Sequence, residues 1–104
     1  MANYLLVYHG GAMPESPEEG AKVTQAWNDW FGTLGDKVID AGNPVSQVRT
    51  IAANGSVSDG GTNPSSGYSV IKADSLDAAV ALAKGCPVLQ GGASVEVAET
   101  FAVM

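Results

Sequence analysis

Apolar residues fall along this chain in two kinds of pattern. In residues 16–35 (SPEEGAKVTQAWNDWFGTLG), Val23, Trp27, Trp30, Phe31 and Leu34 recur at three- and four-residue steps. That spacing puts side chains on one stripe of a helix. Ser16 with Glu19 three residues on fits a capping box, Pro17 suits the first helical position, and Gly35 suits the residue past the last turn. Glu18 and Glu19 place negative charge at the positive end of the helix dipole. Gly20 and Gly32 weaken the helix without outweighing these signals. Residues 4–8 (YLLVY) instead form a continuous apolar run, which suits a strand covered on both faces, since a strand with one wet face alternates.

The remaining segments are shorter. Residues 37–41 (KVIDA) predict a strand that stops at Gly42-Asn43-Pro44. Residues 48–53 and 56–59 flank Asn54-Gly55, the strongest two-residue signal for a type I′ hairpin turn. Such a turn sets Ala52 opposite Val57 and Ile51 opposite Ser58. Residues 60–66 are too polar to pack and read as a loop, and residues 67–73 (GYSVIKA) as the next strand. Asp74 or Ser75 then caps a second helix through Lys84, with Leu76, Ala79, Val80 and Ala83 on its buried face. Gly85 closes that helix and Pro87 prevents its continuation. Residues 88–92 form a turn or one short helical turn. Residues 94–103 form a last strand with Val95, Val97, Phe101 and Val103 on one face and Glu96, Ala98 and Thr100 on the other.

The predicted order is β-α-β, a small hairpin, then β-α-β. That is an α+β chain in the ferredoxin-like βαββαβ arrangement with an extra hairpin, two helices covering one face of a four-stranded sheet. A first strand apolar on both sides leaves the other face needing cover, because large exposed apolar patches are rare on monomers. A homodimer in which the open faces meet is the simplest answer.

Composition narrows the function classes. A length of 104 residues, 45% hydrophobic and 15% charged, predicts a single globular domain, residues 1–104. The net charge of −6 and the scattered cations Lys22, Lys37, Arg49, Lys72 and Lys84 argue against nucleic acid, whose phosphates are met by clustered basic residues. Cys86 stands alone, so neither an intrachain disulfide nor a thiolate metal cluster is expected, and no cofactor is called for. No apolar run approaches the roughly twenty residues of a membrane-spanning helix, and the opening residues do not read as a signal peptide. The expectation is a cytoplasmic protein with no membrane partner.

Two residues are candidates for acid–base chemistry. His9 ends the first strand beside two glycines and titrates near neutrality, so it reads as a general base or ligand contact, or else as a ring bonded to a nearby backbone carbonyl. Asp40 interrupts an apolar strand; facing a cleft it suits proton transfer, and facing out it is a solvated strand residue. Trp27 and Trp30 read either as core or as the wall of an aromatic pocket, and the Tyr68 hydroxyl as a contribution to a cleft or an interface. Cys86 follows a helix C-terminus, where the dipole disfavours a thiolate. The pairs Gly10-Gly11, Gly60-Gly61 and Gly91-Gly92 lack nucleotide-loop spacing and read as turns.

Taken together, NYLLVYHGG, SPEE followed by WNDWFGTLG, VIDAGNP, VSDGG and GYSVIKADSLDAAVALAKGCPVLQGGASVEV resemble, in order and spacing, the YCII-related or DGPF-domain family of the dimeric α+β barrel superfamily. The resemblance covers almost the whole chain. It implies a ferredoxin-like protomer, a sheet-to-sheet dimer and a cleft between helices and sheet for a small, apolar or aromatic molecule. Trp27, Asn43 and Tyr68 are the expected ligand contacts. Proton transfer or rearrangement with His9 or Asp40 as base is the expected chemistry. The alternative is a non-catalytic interaction or regulatory module, after the sigma-factor association of some relatives. Asp59-Gly60-Gly61 departs from Asp-Gly-Pro-Phe, and no histidine stands near Trp27, so a His–Asp pair does not carry over.

Overall fold

The computed structural model describes residues 2–11, 16–61 and 63–102. Within them the chain is α+β, with two helices and antiparallel sheets. The elements run β1 (Ala2–His9), α1 (Pro17–Leu34), a 3₁₀ turn (Gly35–Lys37), β2 (Val38–Asp40), β3 (Arg49–Ile51), β4 (Val57–Asp59), β5 (Ser65–Ala73), α2 (Leu76–Ala83), a 3₁₀ turn (Pro87–Gly91) and β6 (Ser94–Glu99). Four strands form one sheet in the order β2-β5-β1-β6, each neighbouring pair antiparallel, while β3 and β4 pair only with each other.

Helix α1 begins and ends where its local chemistry dictates. Ser16 is extended and its Oγ accepts from the Glu19 backbone N–H at 3.1 Å. Gly35 takes a positive φ of 58°, which a residue with a Cβ adopts only at a cost. The stripe buries Trp30 and Leu34 and covers Trp27 and Phe31 in part, while Val23 stays 42% exposed. Trp30 Nε1 donates to the Leu82 carbonyl at 3.2 Å, tying α1 to the end of α2.

The pleat of β1 organises the core. Tyr4, Leu6 and Tyr8 are buried on the helix side, opposite Ile71, Ser69 and Gly67 of β5 and Glu99, Val97 and Val95 of β6. Trp30, Leu34, Ala79 and Ala83 complete that cluster from the helices. Leu5 and Val7 point the other way, with Val70 and Tyr68 as their β5 neighbours, and are only half-buried. The continuous apolar run of β1 therefore has one face covered within the chain, not two. The molecule is correspondingly thin, 18 Å along its shortest axis against 43 Å and 42 Å along the others.

Five local expectations are corrected. The hairpin register places Ile51 opposite Val57 and Thr50 opposite Ser58. Asn54 does not take the positive φ of a type I′ turn; only Gly55 does, at 91°. The Asn54 Oδ1 accepts from the Ser56 N–H at 3.0 Å, Gly55 N–H donates to the Ala52 carbonyl, and Ala52 N–H donates to the Ser56 carbonyl at 2.8 Å, so the loop is one residue longer than a two-residue turn. In α2, Ser75 is the cap and Ala79 and Ala83 the buried pair, whereas Leu76 and Val80 are 45% and 37% exposed. The small alanines are the side chains turned onto the sheet. Ser65 and Ser66 belong to β5, not to the polar loop. The last strand ends at Glu99, and Phe101 beyond it is 81% exposed. Val103, Thr62 and residues 12–15 lie outside the described residues.

The one-sided core makes stability unevenly distributed. Leu6→Ala, at a site with no exposure, is expected to lower unfolding free energy by about 2–5 kcal/mol. Ile51→Ala, in the hairpin and 71% exposed, is expected to change it by less than about 0.5 kcal/mol. Denaturant titration of both variants distinguishes them; equal losses would mean the hairpin is part of the core.

Candidate ligand-binding cavity

Helix α1 does not close onto the sheet along its whole length. A cavity of about 400 Å³ lies between Val23, Thr24, Trp27, Asn28 and Phe31 of the helix and Tyr8, Ser66, Gly67, Tyr68 and Ser69 of the strands. Residues 41–44 and Val88 complete its wall. That volume falls within the range typical of small-molecule sites. Among the described residues lining it, none carries a formal charge.

Its apolar wall is aromatic. Trp27 is the hub, with ring centroids 5.2 Å from Tyr8 and 5.8 Å from Trp30, both edge-on, and 5.7 Å from Phe31. Edge-to-face contacts of this kind hold rings in fixed orientations. The two tryptophans divide the roles weighed for them: Trp30, 7% exposed, is core, and Trp27 lines the cavity.

The floor is polar and buried. Tyr8 Oη donates to Ser69 Oγ at 2.7 Å, and Ser69 Oγ donates to the Ala41 carbonyl at 2.7 Å. Strand pairing builds this chain, since Tyr8 faces Gly67 across the ladder and that missing side chain gives its ring room: a Cβ there would sit 3.3 Å from Tyr8 Cδ2. Burial pushes the Tyr8 phenol well above its ordinary 10.0, with the Ser69 hydrogen bond partly opposing and the adjacent Cys86 reinforcing. Burial likewise raises the Cys86 thiol above its ordinary 9.0, so no reactive thiolate stands there at neutral pH.

Gly42 fixes the third wall. Its φ is 78°, and a Cβ there would lie 1.7 Å from the Tyr68 carbonyl oxygen. The segment after β2 can therefore lie against β5 only because residue 42 has no side chain. The Tyr68 N–H donates to Asn43 O at 3.3 Å, and Asn43 Nδ2 donates to Tyr68 Oη at 3.4 Å, at the exposed rim.

Trp27, Asn43 and Tyr68 thus come together around one cavity, and the two acid–base candidates lie outside it. His9 follows Tyr8 on the opposite side of the strand, with Nδ1 donating to the Asn63 carbonyl at 3.0 Å and Nε2 against the Glu96 carboxylate. Asp40 is exposed, and its Oδ1 accepts from the Gly42 N–H at 2.9 Å, holding the turn. Tyr8, Ser69 and Gly42 were not singled out from sequence. The available signal was the inward period-two series Gly67, Ser69, Ile71, Ala73, in which Ser69 is the one polar side chain. Among the described residues, no three His, Cys, Asp or Glu side chains gather as metal ligands, and no helix is long and apolar enough to cross a membrane.

Comparison with protein-family models and with curated proteins gives no match.

Two outcomes follow from this geometry. Gly42→Ala is expected to cost at least about 2 kcal/mol through strain and clash, whereas Gly32→Ala, on open helix surface, is expected to gain about 0.4–1 kcal/mol. Chemical denaturation of the pair checks this, and a neutral Gly42→Ala would mean that the wall is not fixed there. Tyr8 and Cys86 also set an alkaline limit. Above the ordinary values of 10.0 for Tyr8 and 9.0 for Cys86 the unfolded chain loses protons that the folded chain keeps. Stability present below about pH 9 is therefore lost as pH rises further. Between pH 10 and 11 the loss is expected to be shallower in Tyr8→Phe than in the native chain; identical slopes would mean that Tyr8 ionises freely.

Proposed function

We propose that this protein binds a small, uncharged aromatic molecule between α1 and the sheet, and that the site is built for binding rather than for acid–base catalysis. The observation that carries this is the lining itself: an aromatic wall centred on Trp27 and a buried polar floor, with no charged side chain among the described lining residues. Proton transfer needs a titrating group within hydrogen-bond reach of the substrate. His9 is on the far side of β1, and Asp40 is engaged in its own turn.

The sheet order β2-β5-β1-β6, with both helices packed against the same face, supports a ferredoxin-like protomer. The half-buried Leu5, Val7 and Val70 and the 51% exposed Ile39 support pairing of open faces in a homodimer. Both agree with the resemblance to the YCII-related family.

The test uses 4-ethylphenol as probe. Calorimetric titration is expected to give saturable binding that Trp27→Ala weakens about tenfold or more, the loss of one large aromatic contact. Native mass spectrometry of the same sample is expected at twice the 10.6 kDa chain mass. Binding that ignores Trp27→Ala, or no saturation, would sink the cavity reading; a monomer mass would sink the dimer.

A further inference from the structure

Resting on that binding reading, we infer that the floor of the cavity selects its ligand by polarity: it takes a molecule whose buried end carries a hydrogen-bond donor, such as a phenol, and disfavours an otherwise similar ether, aldehyde or carboxylate.

The inference follows from counting protons along one chain of hydrogen bonds. The Ala41 carbonyl can only accept. Ser69 has a single hydroxyl proton, and at 2.7 Å from Ala41 O that proton is committed to the carbonyl. Tyr8 Oη, 2.7 Å from Ser69 Oγ, must then supply the proton between them, so its own donor is committed too. Both hydroxyls have spent their protons and keep lone pairs. Ser69 is 1% exposed and Tyr8 5%, and both line the cavity. The Cys86 thiol beside Tyr8 is only a weak donor. A ligand reaching the floor therefore meets acceptors. A donor end makes a hydrogen bond there, while an ether or carbonyl oxygen sets lone pair against lone pair without water to relieve it.

Other donors around the cavity do not cancel this preference. Thr24, Asn28 and Asn43 are exposed, Tyr68 is half-buried at the rim with Asn43, and Ser66 and the Trp27 indole are also only half-buried. Groups that water also reaches discriminate weakly, because an unmade bond is replaced by one to solvent. The rim accommodates polar atoms of either kind, and the floor decides orientation. An anionic end finds neither a cation nor a free donor at the floor.

The experiment compares four probes of one shape: 4-ethylphenol, 4-ethylanisole, 4-ethylbenzaldehyde and 4-ethylbenzoate. Calorimetry at pH 7 is expected to give 4-ethylphenol about tenfold tighter binding than the anisole and the aldehyde, the effect of one satisfied buried acceptor, with the benzoate weakest. Ser69→Ala supplies a second readout. It removes the acceptor of the Tyr8 proton, which then turns to the ligand, so the aldehyde is expected to gain on the phenol and erase or reverse the preference. A purely structural role for Ser69 would weaken all four alike. Equal affinities for the neutral probes, or an aldehyde preference in the native chain, would overturn the polarity assignment while leaving the cavity reading intact. No saturable binding by any probe would overturn both. Should Ser69→Ala not fold, the native series alone decides.

Discussion

The alternation of side chains along β1 is the constraint on which the rest of this structure depends. A strand turns successive residues to opposite faces, so one short run sends Tyr4, Leu6 and Tyr8 toward the helices and Leu5, Val7 and His9 away from them. Both neighbouring strands take their register from it. Ser69 sits across from Leu6, and Gly67 across from Tyr8, because β5 is paired in that register and no other. A slip of one residue would carry every inward side chain to the outer face and dismantle core and cavity together.

The cavity itself results from unequal packing along one helix. Near its C-terminus α1 lies on the core through Trp30 and Leu34, fastened by the Trp30 bond to Leu82. Nearer its start, Val23 and Trp27 line the cavity, with Trp27 meeting only the Tyr8 ring edge-on among the strand aromatics. Small residues on the opposite side enlarge the gap, with Gly67 and Ser69 where larger residues would have filled it. Gly42 lets the chain after β2 lie close against β5, which brings the Ala41 carbonyl to Ser69. A buried hydroxyl pair is costly unless its bonds are made, and the two 2.7 Å contacts make them. The same completeness leaves the floor with acceptors alone, which links the folding requirement to the ligand preference.

Charge plays its part elsewhere. His9 and Glu96 meet on the outer face of the sheet, and Arg49 and Asp59 pair across the exposed hairpin at 3.3 Å. Exposed pairs such as the second contribute little to stability. The cavity lining, by contrast, holds no charged side chain among the described residues.

Local chemistry made much of this legible from sequence. The limits of α1 were readable because Ser16, Pro17, Glu19 and Gly35 act within a turn of themselves. The α+β succession was readable because periods of two and of three to four residues are local properties. Trp27, Asn43 and Tyr68 were named and converge on one cavity, though nothing in their spacing shows that they meet. Wherever an outcome rested on partners distant in the chain, sequence ran out. Leu76 and Val80 have the hydrophobicity of core residues, yet the approach of α2 to the sheet is set by Ala79 and Ala83. His9 has suitable chemistry, but strand parity turns it from the cavity, and its partners Asn63 and Glu96 come from the approach to β5 and from β6. The Tyr8–Ser69–Ala41 chain joins three segments whose adjacency exists only once β1, β5 and the chain after β2 lie side by side. Sequence determined which segments form helix or strand, because those energies act between near neighbours. Tertiary structure alone decided which side chains face one another, because strand register and helix approach are set by the packing of the whole sheet.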